Sequence, residues 1–164
     1  MPTTIRAGEK KDMQAVFALI QELALFEKRP NEVHISVADL ERDGFVNPPK
    51  FSTFVAEENE HIIGMALFYE RYSTWKGTAL HLEDLIVTQE KRGTGAGKAL
   101  YTAVLKKAHT QQYGRVGWEV LDWNTAAIDF YKSTGATILK DWFVVQMSPE
   151  KLATYLEQPS DENF

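Results

Sequence analysis

A glycine-rich run, Arg92-Gly93-Thr94-Gly95-Ala96-Gly97, sits between an apolar stretch, Leu85-Ile86-Val87, and a helix-compatible segment at 98–108. That order predicts a strand, a tight turn and a helix. The first-turn N–H groups of a helix have no carbonyl of their own helix to reach, and the helix dipole there favours anions. Glycines let the backbone take positive φ and come close to a bulky phosphate. The run therefore reads as a pyrophosphate cradle made by the backbone of Gly93, Thr94, Gly95, Ala96, Gly97 and Lys98, with Arg92 adding positive charge. On these residues alone, a plain glycine-rich turn before a helix is the competing reading, with Lys98 a solvated first-turn residue.

Spacing excludes two familiar cradles. A P-loop needs G-x-x-x-x-G-K-[ST], but Arg92 stands where the first glycine belongs and Ala99 replaces the hydroxyl that would hold magnesium. The dinucleotide fingerprint G-x-G-x-x-G meets Lys98 at its last position when started at Gly93, and Leu100 when started at Gly95. What is left is R-x-x-G-x-G.

The rest of the chain supplies a compatible order of elements. Residues 3–6 predict a short strand. Asp12 is expected to cap a helix to about residue 27, since Met13, Val16, Phe17, Ile20, Leu23 and Ala24 fall on one face. Ser36 and Asp39 begin a second helix ending near Gly44. Residues 51–57 and 61–72 predict a hairpin, and residues 78–88 a further strand entering the glycine-rich turn. Residues 115–121 predict a strand, Asn124 caps a helix over 125–133 that stops at Gly135, and residues 138–147 again predict a strand. Ser148-Pro149 opens a last short helix, and a frayed tail is expected at 158–164. The sum is one α/β (α+β) domain over residues 1–164, with a mixed, mostly antiparallel sheet flanked by helices.

Composition narrows the function. The net charge of -5 disfavours broad nucleic-acid binding and suits a cationic small molecule. The absence of cysteine removes disulfide, thiolate and cysteine–zinc chemistry together. No run reaches membrane-spanning length and the four histidines lack ligand spacing, so the expectation is a cytoplasmic protein with no metal, membrane or nucleic-acid partner.

R-x-x-G-x-G resembles the acetyl-CoA loop of the GNAT N-acetyltransferases. Ile5-Arg6, Val55-Ala56-Glu57, Ile63-Gly64-Met65-Ala66, and Asn124 with Phe130-Tyr131 and Gly135-Ala136 look like landmarks of the same superfamily, in the same order. Within it, the chain is similar to the spermidine/spermine (diamine) acetyltransferases. Leu25-Phe26-Glu27, Asp39-Leu40 with Asp43-Gly44-Phe45, Leu82-Glu83-Asp84-Leu85-Ile86-Val87, Asp122-Trp123-Asn124 and Ile128-Asp129-Phe130-Tyr131-Lys132 carry that similarity.

The resemblance implies acetyl transfer from acetyl-CoA to a primary amine. An alkyl ammonium of pKa near 10.4 costs about 3.4 pK units, roughly 4 to 5 kcal/mol, to deprotonate at pH 7. A carboxylate, directly or through water, can take that proton. Glu83 and Asp84 stand in the strand just before the loop, but regular pleating sends them to opposite faces, so both reach one cleft only across a bulge. The resemblance implies that distortion, polyamine contacts from both, and Glu83 as the water-linked base. The alternative is that one acid is a solvated strand residue and the other a structural ion-pair partner, a reading that weighs equally for Asp84 and less for Glu83.

Glu27 matches a substrate-contacting acid, or is an ordinary helix-end charge. Tyr131 matches the tyrosine general acid, a phenol that is protonated at pH 7 yet able to protonate a departing thiolate. Leu85, Ile86 and Val87 match the strand that pairs with pantetheine, and Asn124 and Tyr131 match its helix-borne contacts. Trp75 matches a position near the polyamine, where it would offer a π-face, or it anchors a loop. His81 is expected to be a strand residue only.

The resemblance also implies a homodimer with the C-terminal strands near the partner. Two departures bear on the acceptor. Phe26 stands where the polyamine enzymes often carry tyrosine, and Lys28-Arg29 places positive charge beside Glu27. A shorter amine, a diamine or a lysine analogue such as thialysine, fits these better than spermine. Acetylation of a protein or drug-like amine, and a non-catalytic CoA sensor, are the alternatives.

Overall fold

The computed structural model describes residues 2–157, and the expected tail at 158–164 lies outside them. The chain divides into two compact units, residues 1–121 and 122–164.

The first unit contains, in chain order, β1 (Thr4–Ala7), α1 (Met13–Phe26), α2 (Val37–Gly44), β2 (Ser52–Glu58), β3 (His61–Ser73), β4 (Gly77–Val87), α3 (Ala96–Thr110) and β5 (Val116–Gly117). Its sheet has the order β1-β2-β3-β4-β5; β1 to β4 pair antiparallel and β5 pairs parallel to β4. The parallel step follows from chain path, because α3 intervenes between β4 and β5 as the crossover that parallel neighbours need.

Alternation along the strands builds two layers. Val55, Met65, Leu67 and Ile86 point to the face covered by Met13, Val16 and Leu19 of α1 and Leu40 of α2. Gly64 and Val87 point the other way, toward Leu100 of α3. Gly64 cannot be larger: a Cβ there would lie 2.8 Å from the Ile86 carbonyl and 3.2 Å from Leu100. Met13, Val16, Val55 and Met65 have no exposed surface. Each such side chain contributes about 1.5–3 kcal/mol of burial.

Local chemistry explains the helix starts, with one correction. Ser36 accepts from the Asp39 N–H and the Asp39 carboxylate accepts from the Ser36 N–H, the reciprocal box expected there. Asp12, in contrast, does not cap α1 with its side chain. A 3-10 turn over Lys10–Asp12 precedes the helix, and the carboxylate turns back to the Glu9 N–H at 2.8 Å and to Arg6 at 2.7 and 3.0 Å. A half-buried guanidinium outcompetes the helix N–H for that carboxylate because charge-assisted bonds are the stronger ones.

The expected strand at 115–121 shrinks to Val116–Gly117. Past Gly117, Trp118 packs edge-on against Tyr101 of α3, with ring centroids 5.6 Å apart, and the chain leaves the ladder.

In the second unit, α4 (Thr125–Ser133) begins where Asn124 accepts from the Ala127 N–H at 3.3 Å. It ends as Gly135, at φ +92°, and Ala136 donate to Lys132 and Tyr131. Ser148 caps α5 (Pro149–Leu156). The strand expected at 138–147 does not form among the described residues. A strand exists only against an edge that satisfies its N–H and C=O groups, and the described residues of this unit offer none.

Candidate active site

The decisive local irregularity is in β4. Tyr69 of β3 opposes His81 and Phe68 opposes Leu82, but the next pair is Leu67 with Asp84. Glu83 is the extra residue of a bulge. Without it, Glu83 would lie on the α1 face and Asp84 on the α3 face. With it, Asp84 joins Leu67 on the α1 face. Glu83 is on that face too, since it accepts from the Tyr69 hydroxyl at 2.8 Å and lies 3.5 Å from His81 Nε2. The expected distortion is present.

The C-terminal end of α1 brings a third acid to the same place. Burial, then the charges of Glu83 and Glu27, push the Asp84 carboxyl up to about 6. Burial also raises Glu27, opposed by the nearby Arg29. Three carboxylates gathered at one place, with burial raising Asp84 and Glu27, form a site suited to positive charge. Phe26, the last residue of α1, precedes Glu27 in sequence and carries the Arg92 guanidinium 4.9 Å over its ring.

Immediately after the acids, Leu85, Ile86 and Val87 complete β4. β5 pairs only with Leu80 and His81, so among the described residues no strand covers the outer edge of β4 beyond them. That edge keeps backbone donors and acceptors for an extended ligand.

The glycine-rich turn follows through a 3-10 turn over Gln89–Lys91. Gly93 and Gly95 take φ of +79° and +90°, and nothing lies within 4 Å of where a Cβ would stand at either. The first intrahelical bond of α3 is Ala99 N–H to the Gly95 carbonyl, so the N–H groups of Ala96, Gly97 and Lys98 precede the helical ladder. An open groove of about 450 Å³ starts at Gly95 and runs past Lys98, Thr102 and Lys106. A backbone cradle with ammonium groups along its exit fits the polyanionic end of CoA. Thr94 closes the turn by donating to the Lys91 carbonyl at 2.8 Å.

Arg92 has a different environment from the one its place in the run suggests. Its Nε donates to the Val87 carbonyl at 3.2 Å, and it reaches Glu22 of α1 as well as Phe26. Glu22 is the residue that sequence reasoning missed; its partners are more than sixty positions away, and no local pattern marks it. His81, expected to be only a strand residue, packs its ring 5.3 Å from Tyr69 and borders Glu83.

Trp75 stands apart from the acids within the chain. It lies in the β3–β4 turn, 76% exposed, and about 20 Å of extended strand separates Gly77 from Glu83. In the second unit, Tyr131 and Asn124 are both half-buried on α4 or its cap, and Phe130 and Tyr131 rings lie 5.5 Å apart.

Comparison with known proteins places this geometry. The family described as Acetyltransferase (GNAT) family matches residues 17–136. The thialysine N-epsilon-acetyltransferase of Bos taurus is 37% identical over 145 residues, covering 84% of this chain and 85% of that protein. The spermidine/spermine N(1)-acetyltransferase-like protein 1 of Homo sapiens is 34% identical over 158 residues, 90% of this chain and 23% of that longer protein. Among solved structures, an integron cassette protein from V. cholerae superposes with a TM-score of 0.78 at 21% identity, covering 96% of this chain and 99% of that one, a likeness of fold.

Proposed function

The chain belongs to the acetyltransferase (GNAT) family, and on that premise we propose that its acceptor is the primary amine of a small diamine-, polyamine- or lysine-like molecule. It is an acetyl-CoA-dependent N-acetyltransferase. The observation that carries the acceptor reading is the clustering of Glu27, Glu83 and Asp84 on one face at the β4 bulge, one short strand segment before the cradle. Relatives named for thialysine and for spermidine/spermine support it.

Acetyl-CoA brings the thioester, whose carbonyl carbon the amine attacks as the carbon–sulfur bond breaks. Gly93 to Lys98 hold the pyrophosphate by main-chain N–H groups, and the free edge at Leu85 to Val87 lines up the pantetheine arm. Asp84 and Glu27 hold the ammonium. Glu83, through a water, takes the proton that frees the nitrogen lone pair, and the Tyr69 hydroxyl holds its carboxylate in place. Tyr131 gives its phenolic proton to the departing thiolate, and Asn124 bonds the pantetheine arm. Arg29 beside Glu27 and the lack of a hydroxyl on Phe26 favour an acceptor with two cationic groups over a long polycation.

A homodimer completes the reading. Phe143 and Val145 are 92% and 90% exposed, within a strand-forming run, Phe143-Val144-Val145, that has no ladder of its own among the described residues. Pairing with a second copy would satisfy both its backbone and its apolar side chains.

The test is a panel of amines with release of free CoA as the readout: diamines, spermidine, spermine, lysine, thialysine and ornithine. Turnover concentrated on the short diamines and lysine analogues supports the assignment. Turnover confined to peptide N-termini or aminoglycosides rejects it.

A further inference from the structure

A carboxylate beside a cradle for a doubly charged pyrophosphate is electrostatically costly unless it does something for the loop. Glu22 of α1 is such a carboxylate. Its Oε2 accepts from the Thr88 hydroxyl at 2.9 Å and its Oε1 from the Gln89 N–H at 2.8 Å, while Arg92 Nη2 lies 3.8 Å from the same Oε1. Thr88 and Gln89 are the cap and first residue of the 3-10 turn that leads into Arg92-Gly93-Thr94-Gly95. Glu22 thus caps that turn from another element, supplying the acceptor that Thr88 does not provide with its own side chain.

The consequence reaches further than the loop. Arg92 is held on the α1 side by Glu22, by the Phe26 ring and by the Val87 carbonyl. The helix that pins the loop is the helix that ends in Phe26 and Glu27. One rigid element therefore fixes both the entry to the phosphate cradle and one wall of the acid cluster.

We propose that Glu22 is a positioning residue for acetyl-CoA binding, which sets the Gly93–Lys98 cradle through Thr88, Gln89 and Arg92. The proposal rests on that cradle being the pyrophosphate site. Two charge-assisted hydrogen bonds and an ion pair at 3.8 Å tie three loop residues to one carboxylate, so neutralising it loosens the loop as a unit. It touches neither the reacting atoms nor the amine, so chemistry in the filled complex is spared.

The experiment measures the Kd for acetyl-CoA by calorimetry and kcat with a diamine at saturating acetyl-CoA, for wild type, Glu22→Gln, Thr88→Val, Thr88→Ser and the Glu22→Gln/Thr88→Val double variant. Thermal melting of each keeps loss of fold separate. The expected result is about tenfold weaker acetyl-CoA binding for Glu22→Gln with kcat within about twofold. Thr88→Val weakens binding, Thr88→Ser restores it, and the double variant is weaker by less than the product of the single effects. Unchanged affinity in Glu22→Gln, independent effects in the double variant, or a fall in kcat at unchanged Kd each overturn the proposal. If Glu22→Gln does not fold, the Thr88→Val and Thr88→Ser pair decides on its own, equal affinities overturning it. Absence of saturation with the wild-type protein removes the cradle reading itself, and this proposal with it.

Discussion

Glu83 and Asp84, adjacent in sequence, share one face of the sheet because the β3–β4 ladder steps from the Phe68–Leu82 pair directly to Leu67–Asp84. Asp84 is the less exposed of the two, and desolvation with its acidic neighbours raises its proton affinity. Asp84 moves from an ordinary 3.8 to about 6. Between those values the folded protein holds more protons there than the unfolded chain, so stability falls as pH rises through that window, and the deficit persists above it. Asp84→Asn should therefore stabilise the amine-free protein at pH 7 by up to about 3 kcal/mol and flatten the pH dependence of its melting temperature between pH 4 and 6. The same variant should weaken the amine KM at pH 8 and remove a low-pH limb of kcat/KM centred near 6. Melting curves and pH–rate profiles on one preparation check both.

Glu83→Gln should lower kcat by about a hundredfold or more while the Kd for acetyl-CoA stays within twofold, because a proton acceptor is lost and the cradle is untouched. Tyr69→Phe removes the hydroxyl that donates to Glu83, and should give a smaller loss of the same kind. Stopped-flow single turnovers at several pH values separate a lost base from a lost binding contact.

Much of the fold around the candidate site was legible because its signals are local. Ser36, Asn124 and Ser148 announce helix starts within four residues, and the Glu83-Asp84 pair requires a bulge if both acids are to face one cleft. Glu22 was not legible: its meaning lies in Thr88 and Gln89, brought to it only by folding. Asp12 has the place of a cap, yet Arg6 of the edge strand β1, six residues earlier, claims its carboxylate. The run at 138–147 has strand composition, but composition cannot supply the partner edge that makes a strand.

Arg6 and Asp12 give a prediction about stability that is independent of catalysis. The Arg6 guanidinium holds the Asp12 carboxyl below its ordinary value, and Asp12 is 5% exposed. This stabilisation is complete above the ordinary aspartate range and disappears as pH falls through the lowered value. Asp12→Asn should cost about 2 kcal/mol at pH 7, less than a full buried-pair loss because Arg6 keeps Glu57 at 2.6 Å. Urea titration at pH 7 and pH 3 should show the cost shrinking at the lower pH.

Tyr131→Phe separates acid catalysis from packing. The ring is retained against Phe130, at 5.5 Å, so the melting temperature should stay within about two degrees. The proton donor is lost, and kcat should fall by about a hundredfold with acetyl-CoA affinity unchanged. Equal turnover in the two proteins would remove the phenol from the reaction.

The segment after Gly135 provides the last prediction. Phe143 and Val145 project almost fully into solvent from a β-prone run that has no ladder among the described residues, and Leu152 and Leu156 on α5 are also exposed, at 50% and 70%. An exposed apolar surface of this kind marks a contact site, and a second copy offers the same run in return. Val145→Glu would place a charge in that interface, where an unpaired buried carboxylate is costly. Sedimentation equilibrium should find the wild type dimeric at micromolar concentration and the Val145→Glu protein monomeric. A monomeric wild type with full activity would leave this run to some other partner.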